Sequence, residues 1–538
     1  MDVIQMPILI RNLIMPPGEP EDRLRGELSR CYRVHSDDLL GLTVVRIGID
    51  ARKKPRIRLV YTVECILKDE TGFLARHAGN PDVTDVPPLL PPSFPQIKGN
   101  DRIVVVGAGP AGLFAALRLA EYGLTATLLE RGKAIPERVA DVQRFWSRGE
   151  LNEESNVQFG EGGAGTFSDG KLTTRVRDAN ISWVLERLVR FGAPSEIMVQ
   201  AKPHVGTDRL RGVVAALREH LSMRGFAVRF NARLSGIAVR NGSVAAVMVN
   251  DREELLCDHL ILAPGHSARD TYWMLAGCGV RMESKPFAVG LRVEHPQELI
   301  NLIQYGHPSP PHLPPADYAV TYNNTATGRS AYSFCMCPGG VVMAGSSEAN
   351  GVVTNGMSNH LRNSSYANSA LVVNVAPADF HAQGPLAGIE FQREWERRAY
   401  VAGGESYQAP GQNLLDFAEG RIGRRHTSSY RPGVRECDLT TVLPGFVAET
   451  LREGIRAFDR KMKGFLTESS TLTAVETRTS APLRIVRGEG CQSESLRGLY
   501  PAGEGAGYAG GIMSAALDGI RVADALAQNY IDQTGVLI

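Results

Sequence analysis

Few of the side chains that could do chemistry lie close together in the sequence. Cys335 and Cys337 form a CxC pair that could act as a redox dithiol, although the ring closed by such a disulfide is short and strained. The alternative is a tight turn before Gly339 and Gly340 that carries small, buried side chains. The sequence leaves both interpretations open.

Two histidines and two arginines are further candidates. His204 and His295 could transfer a proton, because imidazole titrates near neutral pH, but a structural hydrogen-bonding role is more common for such residues. Arg478 and Arg484 could hold a carboxylate or phosphate of a substrate, or form salt bridges at a domain boundary. We take Cys335, Cys337 and His204 as candidate catalytic residues. No CxxC pair is present, and we predict no metal site.

An element that could position a nucleotide begins at Arg102. The apolar run Ile103–Val106 predicts a buried parallel strand, and a GxGxxG motif follows it directly. Its glycines would permit a tight turn, close approach of a pyrophosphate and close helix–strand packing. The N-terminus of the following helix would offer free N–H groups to phosphates. The residues predicted to bind here are Gly107, Gly109, Pro110, Ala111 and Gly112.

A second predicted strand, Thr125–Leu129, ends in Glu130 and Arg131. Glu130 lies 18 residues beyond Gly112, where an acid that binds a ribose hydroxyl is expected. The predicted strand, the helix, the second strand and the acid follow one another in that order along the chain. The sequence therefore predicts a dinucleotide-binding βαβ unit, with Glu130 and Arg131 among its ligands.

Three later segments favour FAD over NAD as the dinucleotide: the glycine-dense residues 160–172, the predicted strand 257–265 that ends at Gly265, and the strand-loop-helix junction at 498–511. A NAD domain would normally be continuous, whereas a bound flavin extends well past its pyrophosphate and can be reached by the far C-terminus. The predicted helix Ile512–Ala527 could place positive potential near the pyrimidine edge of the flavin. The predicted FAD contacts in these segments are Gly163, Ala164, Gly165, Lys171, Gly265, Gly503, Glu504, Gly510, Gly511 and Ile512.

The motifs Gly107–Gly112, ERG (130–132), GEGGAGTFSDGKL and PAGEGAGYAGGIMSAALDGIRVA resemble the glutathione-reductase-like superfamily of FAD proteins. More narrowly, the chain resembles the FAD-dependent (NAD/FAD-utilising) dehydrogenases, whose members carry a small N-terminal α+β domain. The segments similar to that family are KPHVGTDRL (202–210), KPFAVGLRVEHPQ (285–297), SFCMCPGG (333–340) and VETRTSAPLRIVR (475–487). The resemblance spans most of the chain and implies FAD binding and redox chemistry, but it supplies no substrate.

The predicted fold class is α/β with α+β elements: a Rossmann-type FAD-binding domain, an interleaved substrate domain and a small N-terminal α+β domain. Residues 340–475 show no clear period, which predicts long loops. The predicted division of the chain is an N-terminal domain (1–86), a Pro-rich linker (87–99), the first part of the FAD domain (100–285), a substrate or cap domain (286–475) and a C-terminal return to the FAD domain (476–538).

The composition limits the kinds of partner that we expect for this protein. The formal net charge of +1 gives no general reason to expect nucleic acid, although a basic stretch at 46–58 motivates an RNA-associated alternative. No apolar run of about 18 residues predicts a membrane span. Scattered cysteines and a poor signal peptide indicate a cytoplasmic protein. The sequence does not specify an oligomeric state.

The leading prediction is an FAD-dependent dehydrogenase or reductase of a small organic substrate. Only one GxGxxG motif with its acid is present, so NAD(P)H is an open option as a transient electron donor. The alternatives are an FAD monooxygenase, an RNA-associated flavoprotein and a redox sensor that holds flavin without turnover. In the monooxygenase alternative, the usual C-terminal GD motif would be replaced by GEGAG (503–507).

Overall fold

The structure, a computed structural model, describes residues 7–87, 92–99, 101–424 and 427–534. Part of the predicted Pro-rich linker, residues 88–91, lies outside the described residues. None of the helices in the described ranges combines the length and the apolar character that a bilayer crossing requires.

The N-terminal domain has strands β1 (Ile8–Met15), β2 (Leu39–Asp50), β3 (Arg58–Leu67) and β4 (Val83–Asp85), with helices α1 (Arg23–Tyr32) and α2 (Glu70–Arg76). Its strands form one antiparallel sheet in the order β2-β3-β1-β4. Alternate residues of β1 and β3 are buried, and Leu24 and Leu28 of α1 join the same core. This alternation is what a sheet with one covered face requires.

The next stretch of the chain alternates strands and helices. Its strands are β5 (Ile103–Val106), β6 (Thr127–Leu129), β7 (Ala227–Arg229), β8 (Leu234–Arg240), β9 (Ser243–Val249), β10 (Glu253–Leu256), β11 (His259–Leu262) and β12 (Met282–Ser284). Its helices are α3 (Pro110–Glu121), α4 (Ile135–Arg148), α5 (Asn180–Arg190), α6 (Thr207–Met223) and α7 (Arg269–Gly277).

The third stretch contains a large sheet and four helices. Its strands are β13 (Phe287–Pro296), β14 (Thr321–Asn324), β15 (Arg329–Cys337), β16 (Val341–Ala344), β17 (Thr354–Met357), β18 (Tyr366–Val375), β19 (Ala409–Asn413), β20 (Val434–Glu436) and β21 (Thr471–Glu476). Its helices are α8 (Gln297–Tyr305), α9 (Ala387–Ala402), α10 (Leu414–Glu419) and α11 (Gly445–Lys461). The chain then adds β22 (Leu483–Ile485), β23 (Leu499–Pro501) and α12 (Ile512–Thr534).

A five-stranded parallel sheet, in the order β23-β11-β5-β6-β7, is the centre of the FAD-type domain. Both of its faces are covered, because Val105 and Leu128 face one core while Val104 and Leu129 face the other. The chain runs outward from β5 through β6 and β7, and then returns to β11 on the opposite side of β5. That reversal is a topological switch point, where open α/β sheets bind ligands at the carboxyl ends of their strands.

The third stretch corrects the prediction of long loops over residues 340–475. Seven of its strands form a sheet in the order β14-β15-β18-β13-β21-β19-β20, and α9 and α11 pack on it, while β16 and β17 form a separate two-stranded sheet. In β13 and β18 nearly every residue is buried, so the alternation that identifies a half-exposed strand is missing. The predicted fold class, α/β with a small N-terminal α+β domain, is confirmed.

Candidate FAD site

The turn between β5 and α3 leaves an open cradle at the switch point. Gly107 has φ +99°, and a Cβ atom there would lie 2.1 Å from the carbonyl oxygen of Ala263. A Cβ at Gly112 would lie 1.9 Å from the carbonyl oxygen of Gly107. At Gly109, by contrast, a Cβ would meet only Gly163 Cα, at 3.7 Å. Gly107 and Gly112 are therefore required by packing, whereas Gly109 leaves space in front of the α3 N-terminus.

Glu130 ties three loops together at the end of β6. Its carboxylate accepts hydrogen bonds from the backbone N–H groups of Ala108, Gly132 and Gly160, each at 2.9 Å. A carboxylate has about four acceptor sites, so this leaves capacity for one ribose hydroxyl. Glu130 therefore lies beside the cradle and fixes its shape, and its contact with a ribose stays a prediction.

Arg131, also predicted as a cofactor ligand, is largely occupied by protein groups. Its guanidinium pairs with Glu154 and Asp270, both at 2.9 Å, and stacks on Phe159 with 4.1 Å to the ring centroid. The direct role of Arg131 toward a cofactor stays a prediction.

Arg138 on α4 was missed by the sequence analysis. It is fully buried and donates to the carbonyl oxygens of Asn156 (2.9 Å), Val157 (2.8 Å) and Glu161 (2.6 Å). Burial lowers the pKa of Arg138 to about 9. The side chain holds the start of the glycine-rich loop in place, but nothing in its local sequence separates it from the other arginines of α4.

The C-terminal segment packs directly against this cradle. Gly503 has φ +76°, and a Cβ there would lie 2.6 Å from the Cβ of Ala111 on α3. A Cβ at Gly165 would lie 3.2 Å from Cγ1 of Ile512, the first residue of α12. The structure therefore brings together the predicted segments 107–112, 163–165 and 503–512.

The space between these segments suits an extended dinucleotide. An added Cβ at Gly265, Gly510 or Gly511 would meet no atom within 4 Å. The N-cap of α3, Gly109, carries no side-chain cap, and α12 begins nearby, because a Cβ at Gly165 would contact both Ile512 at 3.2 Å and Pro110 of α3 at 3.8 Å. Two helix N-termini with glycine-lined approaches favour an anionic ligand such as a pyrophosphate.

Glu504 is flanked by two residues that the sequence analysis missed. Its Oε1 lies 3.6 Å from Nδ1 of His266, which follows Gly265 at the end of β11. Burial raises the pKa of Glu504 to about 7, and the charge of Lys285 opposes that rise. Burial also lowers the pKa of His266 to about 3, with the positive charges of Arg478 and Arg269 acting in the same direction. At neutral pH this pair combines a neutral imidazole with a carboxyl group near its midpoint.

The raised pKa of Glu504 predicts a stability difference that depends on pH. The unfolded chain ionises this group from about pH 4.5, whereas the folded state keeps the proton until about pH 7. Stability is therefore lost as pH rises from 4.5 to 7, and the loss stays constant above that. We expect Glu504→Gln to have a higher melting temperature than wild type at pH 8 and an equal one at pH 4.5. The same difference in melting temperature between variant and wild type at both pH values would contradict the raised pKa of Glu504.

Arg478, a predicted substrate ligand, lies in a buried charge network with Arg269. Both guanidinium groups pair with Glu396 of α9, and Arg478 also donates to Ser267 at 3.0 Å and to Ser347 at 2.5 Å. This arrangement matches the salt-bridge alternative. Arg484 differs, because it is exposed on β22 and lies 5.2 Å from the ring centroid of Tyr508. Its role as a substrate ligand stays a prediction.

The candidate histidines are packed against backbone. His204 has its Nε2 3.0 Å from the carbonyl oxygen of His360, and burial lowers its pKa to about 4. His295 is fully buried with its Nε2 2.8 Å from the carbonyl oxygen of Phe465. These contacts favour the structural role for both. Lys171 pairs with His204 in an isolated β-bridge, and its Nζ lies 3.9 Å from Asp169.

Cys335 and Cys337 end β15 as free thiols; Cys337 is buried and Cys335 is partly exposed. The Cys335 charge contributes to the raised pKa of Glu504, and the charge of Lys171 acts on both thiols. The thiol pair therefore lies within electrostatic reach of both the glycine-rich loop and the C-terminal loop of the cradle.

Three family models match the chain. Residues 286–479 match "FAD-dependent protein, C-terminal domain-like", residues 102–153 match an FAD binding domain, and residues 6–66 match a domain of unknown function. The matches agree with the cradle at Gly107–Gly112, and together they define an FAD-binding flavoprotein. The predicted cofactor, FAD, is confirmed at this level.

The family follows from a full-length relative. A protein of Clostridium beijerinckii, described as uncharacterized, is 45% identical over 532 residues, which cover 98% of this chain and 99% of the relative. The chain belongs to the same family as that protein.

Two other similarities are weaker. Mouse lysine-specific histone demethylase 1B is 40% identical over 90 residues, which are 17% of this chain and 10% of that protein. The Bacillus halodurans glycerol-3-phosphate dehydrogenase complexed with FAD is 11% identical with a TM-score of 0.34, covering 82% of this chain and 66% of that one. Neither similarity carries an inference about the reaction.

Proposed function

We propose that this protein is an FAD-dependent dehydrogenase or reductase that transfers hydride between its flavin and a small organic substrate. The observation that carries the proposal is the convergence of Gly107–Gly112, residues 163–165 and residues 503–512 at the switch point of the parallel sheet. Bound FAD supplies the hydride chemistry, and the protein supplies binding, orientation and electrostatics.

Each part of the site has a role in this proposal. The N-terminus of α3 binds the pyrophosphate in front of Gly109, and the carboxylate of Glu130 accepts a hydrogen bond from a ribose hydroxyl. The N-terminus of α12 would place positive potential beside a flavin ring bound in the cradle. Glu504, whose pKa is raised to about 7, holds or releases a proton beside His266 near neutral pH.

The electron donor is a separate part of the proposal. The chain has one GxGxxG motif with its acid, so a nicotinamide would bind transiently near the flavin rather than in a second domain of this type. NADH or NADPH is the donor that we propose to test first.

The experiment is the absorbance spectrum of the purified protein, followed by denaturation and by anaerobic addition of NADH and NADPH. We expect visible flavin bands, release of FAD on denaturation, and bleaching by one of the two nucleotides. If neither nucleotide bleaches the flavin, a nicotinamide is not the electron donor, and the oxidation of an organic substrate remains as the proposed reaction. A colourless protein that fails to take up added FAD would contradict the whole proposal.

A further inference from the structure

The two thiols of the CxC segment lie at an irregularity in the large sheet. Phe334 pairs with Ala370 and Cys337 pairs with Asn368, so two residues of β15 stand opposite one residue of β18. Cys335 occupies this bulge with φ +44°. In a regular strand, residues i and i+2 are about 6.6 Å apart, near the upper limit of Cα separations that disulfides allow. A bulge bends the strand, so the spacing of a regular strand does not apply to this pair.

This bulge is held by a fully buried cation. Arg292 donates to the carbonyl oxygen of Cys335 at 2.9 Å and pairs with Glu476 through both carboxylate oxygens at 3.1 Å. The Cys337 thiol is 3.4 Å from the same carbonyl oxygen. A left-handed conformation at a non-glycine residue is strained and persists only where its surroundings impose it. Such conformations cluster at functional sites.

The surrounding groups shift the pKa values of the two thiols in opposite directions. A hydrogen bond from the Cys337 thiol, aided by the charges of Lys171 and Arg292, lowers the pKa of Cys335 against the effect of burial. The same interaction and burial raise the pKa of Cys337. Elsewhere in the chain, burial raises the pKa of Cys65 and Cys257 to about 12. A thiolate beside a protonated thiol is the arrangement that thiol–disulfide exchange requires.

We propose that Cys335 and Cys337 are a redox-active pair that exchanges two electrons with the flavin, cycling between dithiol and disulfide. This rests on the proposed function, because it requires bound FAD. In the oxidative direction the Cys335 thiolate and the Cys337 thiol form one S–S bond, and the S–H bond of Cys337 breaks. The electron pair and that one proton pass to the flavin, which becomes the reduced anion. In the reductive direction the same electron pair and proton return, and they regenerate the thiolate and the thiol.

The proposal also specifies a substrate class. Cys335 is partly exposed and its thiolate is favoured, so it is the thiol that a small disulfide compound would meet. Attack by Cys335 would release one thiol of that compound and form a mixed disulfide. Cys337 would then displace the second thiol and close the Cys335–Cys337 disulfide, which the reduced flavin reduces.

The test is an anaerobic reductive titration of the FAD-bound protein after mild oxidation with diamide and removal of the oxidant. Wild type is expected to take up about four electrons per flavin, two for FAD and two for the disulfide. Cys335→Ser and Cys337→Ser are expected to take up about two. Cys278→Ser is the control, since Cys278 ends α7 away from the bulge, and it should behave as wild type.

A second measurement, made on wild type, tests the proposal even if the serine variants fail to fold. Alkylation and peptide mass spectrometry of wild type should find residues 335 and 337 joined after diamide and separately alkylated after reduction of the flavin. Uptake of about two electrons by wild type, with both thiols alkylated after diamide, would overturn the inference and leave the flavoenzyme proposal standing. Protein that binds no FAD would overturn both.

Discussion

Gly109→Glu should abolish FAD retention while leaving the protein folded. The backbone at Gly109 has φ −82° and ψ −177°, which any residue can adopt, and a Cβ there makes only an ordinary contact with Gly163. The new side chain would fill the space in front of the α3 N-terminus and place a negative charge where the pyrophosphate binds. We expect FAD affinity to fall by about 100-fold or more, equivalent to about 2.8 kcal/mol.

The flavin-to-protein ratio after gel filtration measures this loss, and circular dichroism reports whether the fold is retained. The matched control is Gly445→Glu. Gly445 also begins a helix, α11, and a Cβ there meets no atom within 4 Å. The control should keep its FAD. Wild-type FAD content in Gly109→Glu would show that the phosphates do not bind at this turn.

Glu396→Ala should cause a large loss of stability. Glu396 is buried, with 2% of its surface exposed, and it binds Arg269 and Arg478 at 2.8 to 3.0 Å. Burial alone would raise the pKa of Glu396, but the two guanidinium groups outweigh it and hold that pKa below its ordinary value. Removing the carboxylate leaves the two buried cations with Glu348 alone, which contacts Arg269 and lies 3.6 Å from Arg478, and this costs up to about 3–5 kcal/mol.

The urea midpoint of unfolding, followed by fluorescence and circular dichroism, measures this effect. Glu394→Ala on the same helix is the control, because Glu394 forms a partly exposed pair with Arg398 at 2.7 Å. Such a surface pair contributes only about 0.3–0.5 kcal/mol. Equal midpoints for the two variants would mean that the buried network does not contribute to the stability of this fold.

The nucleotide-binding half of the molecule could be predicted because its signals are local. The run Ile103–Val106 is buried on both faces, and the two glycines that packing requires, Gly107 and Gly112, follow within a few residues of it. The acid at Glu130 also lies at the end of the next strand, as its distance from Gly112 indicated. Pattern and structure agree here because the βαβ unit is formed by consecutive residues.

The remainder of the site depends on contacts that the local sequence does not encode. Arg138 supports the glycine-rich loop from α4, and His266 meets Glu504 from a strand end more than 200 residues earlier in the chain. The seven-stranded sheet was missed because strands buried on both sides lose their alternation. The CxC pair was visible as a motif, but its bulge and its contact with Arg292 exist only in the folded sheet.

The five-stranded sheet has a consequence for biosynthesis. Strand β23 and the N-terminus of α12 complete the cradle, but they begin 387 and 400 residues after Gly112, at Leu499 and Ile512. At translation rates of about 5–20 residues per second, the ribosome needs roughly 20 to 80 s to supply them. Through that interval the nascent chain carries an incomplete cradle. The complete cradle therefore forms only after residues 499–512 have been synthesised, long after the βαβ unit that begins it.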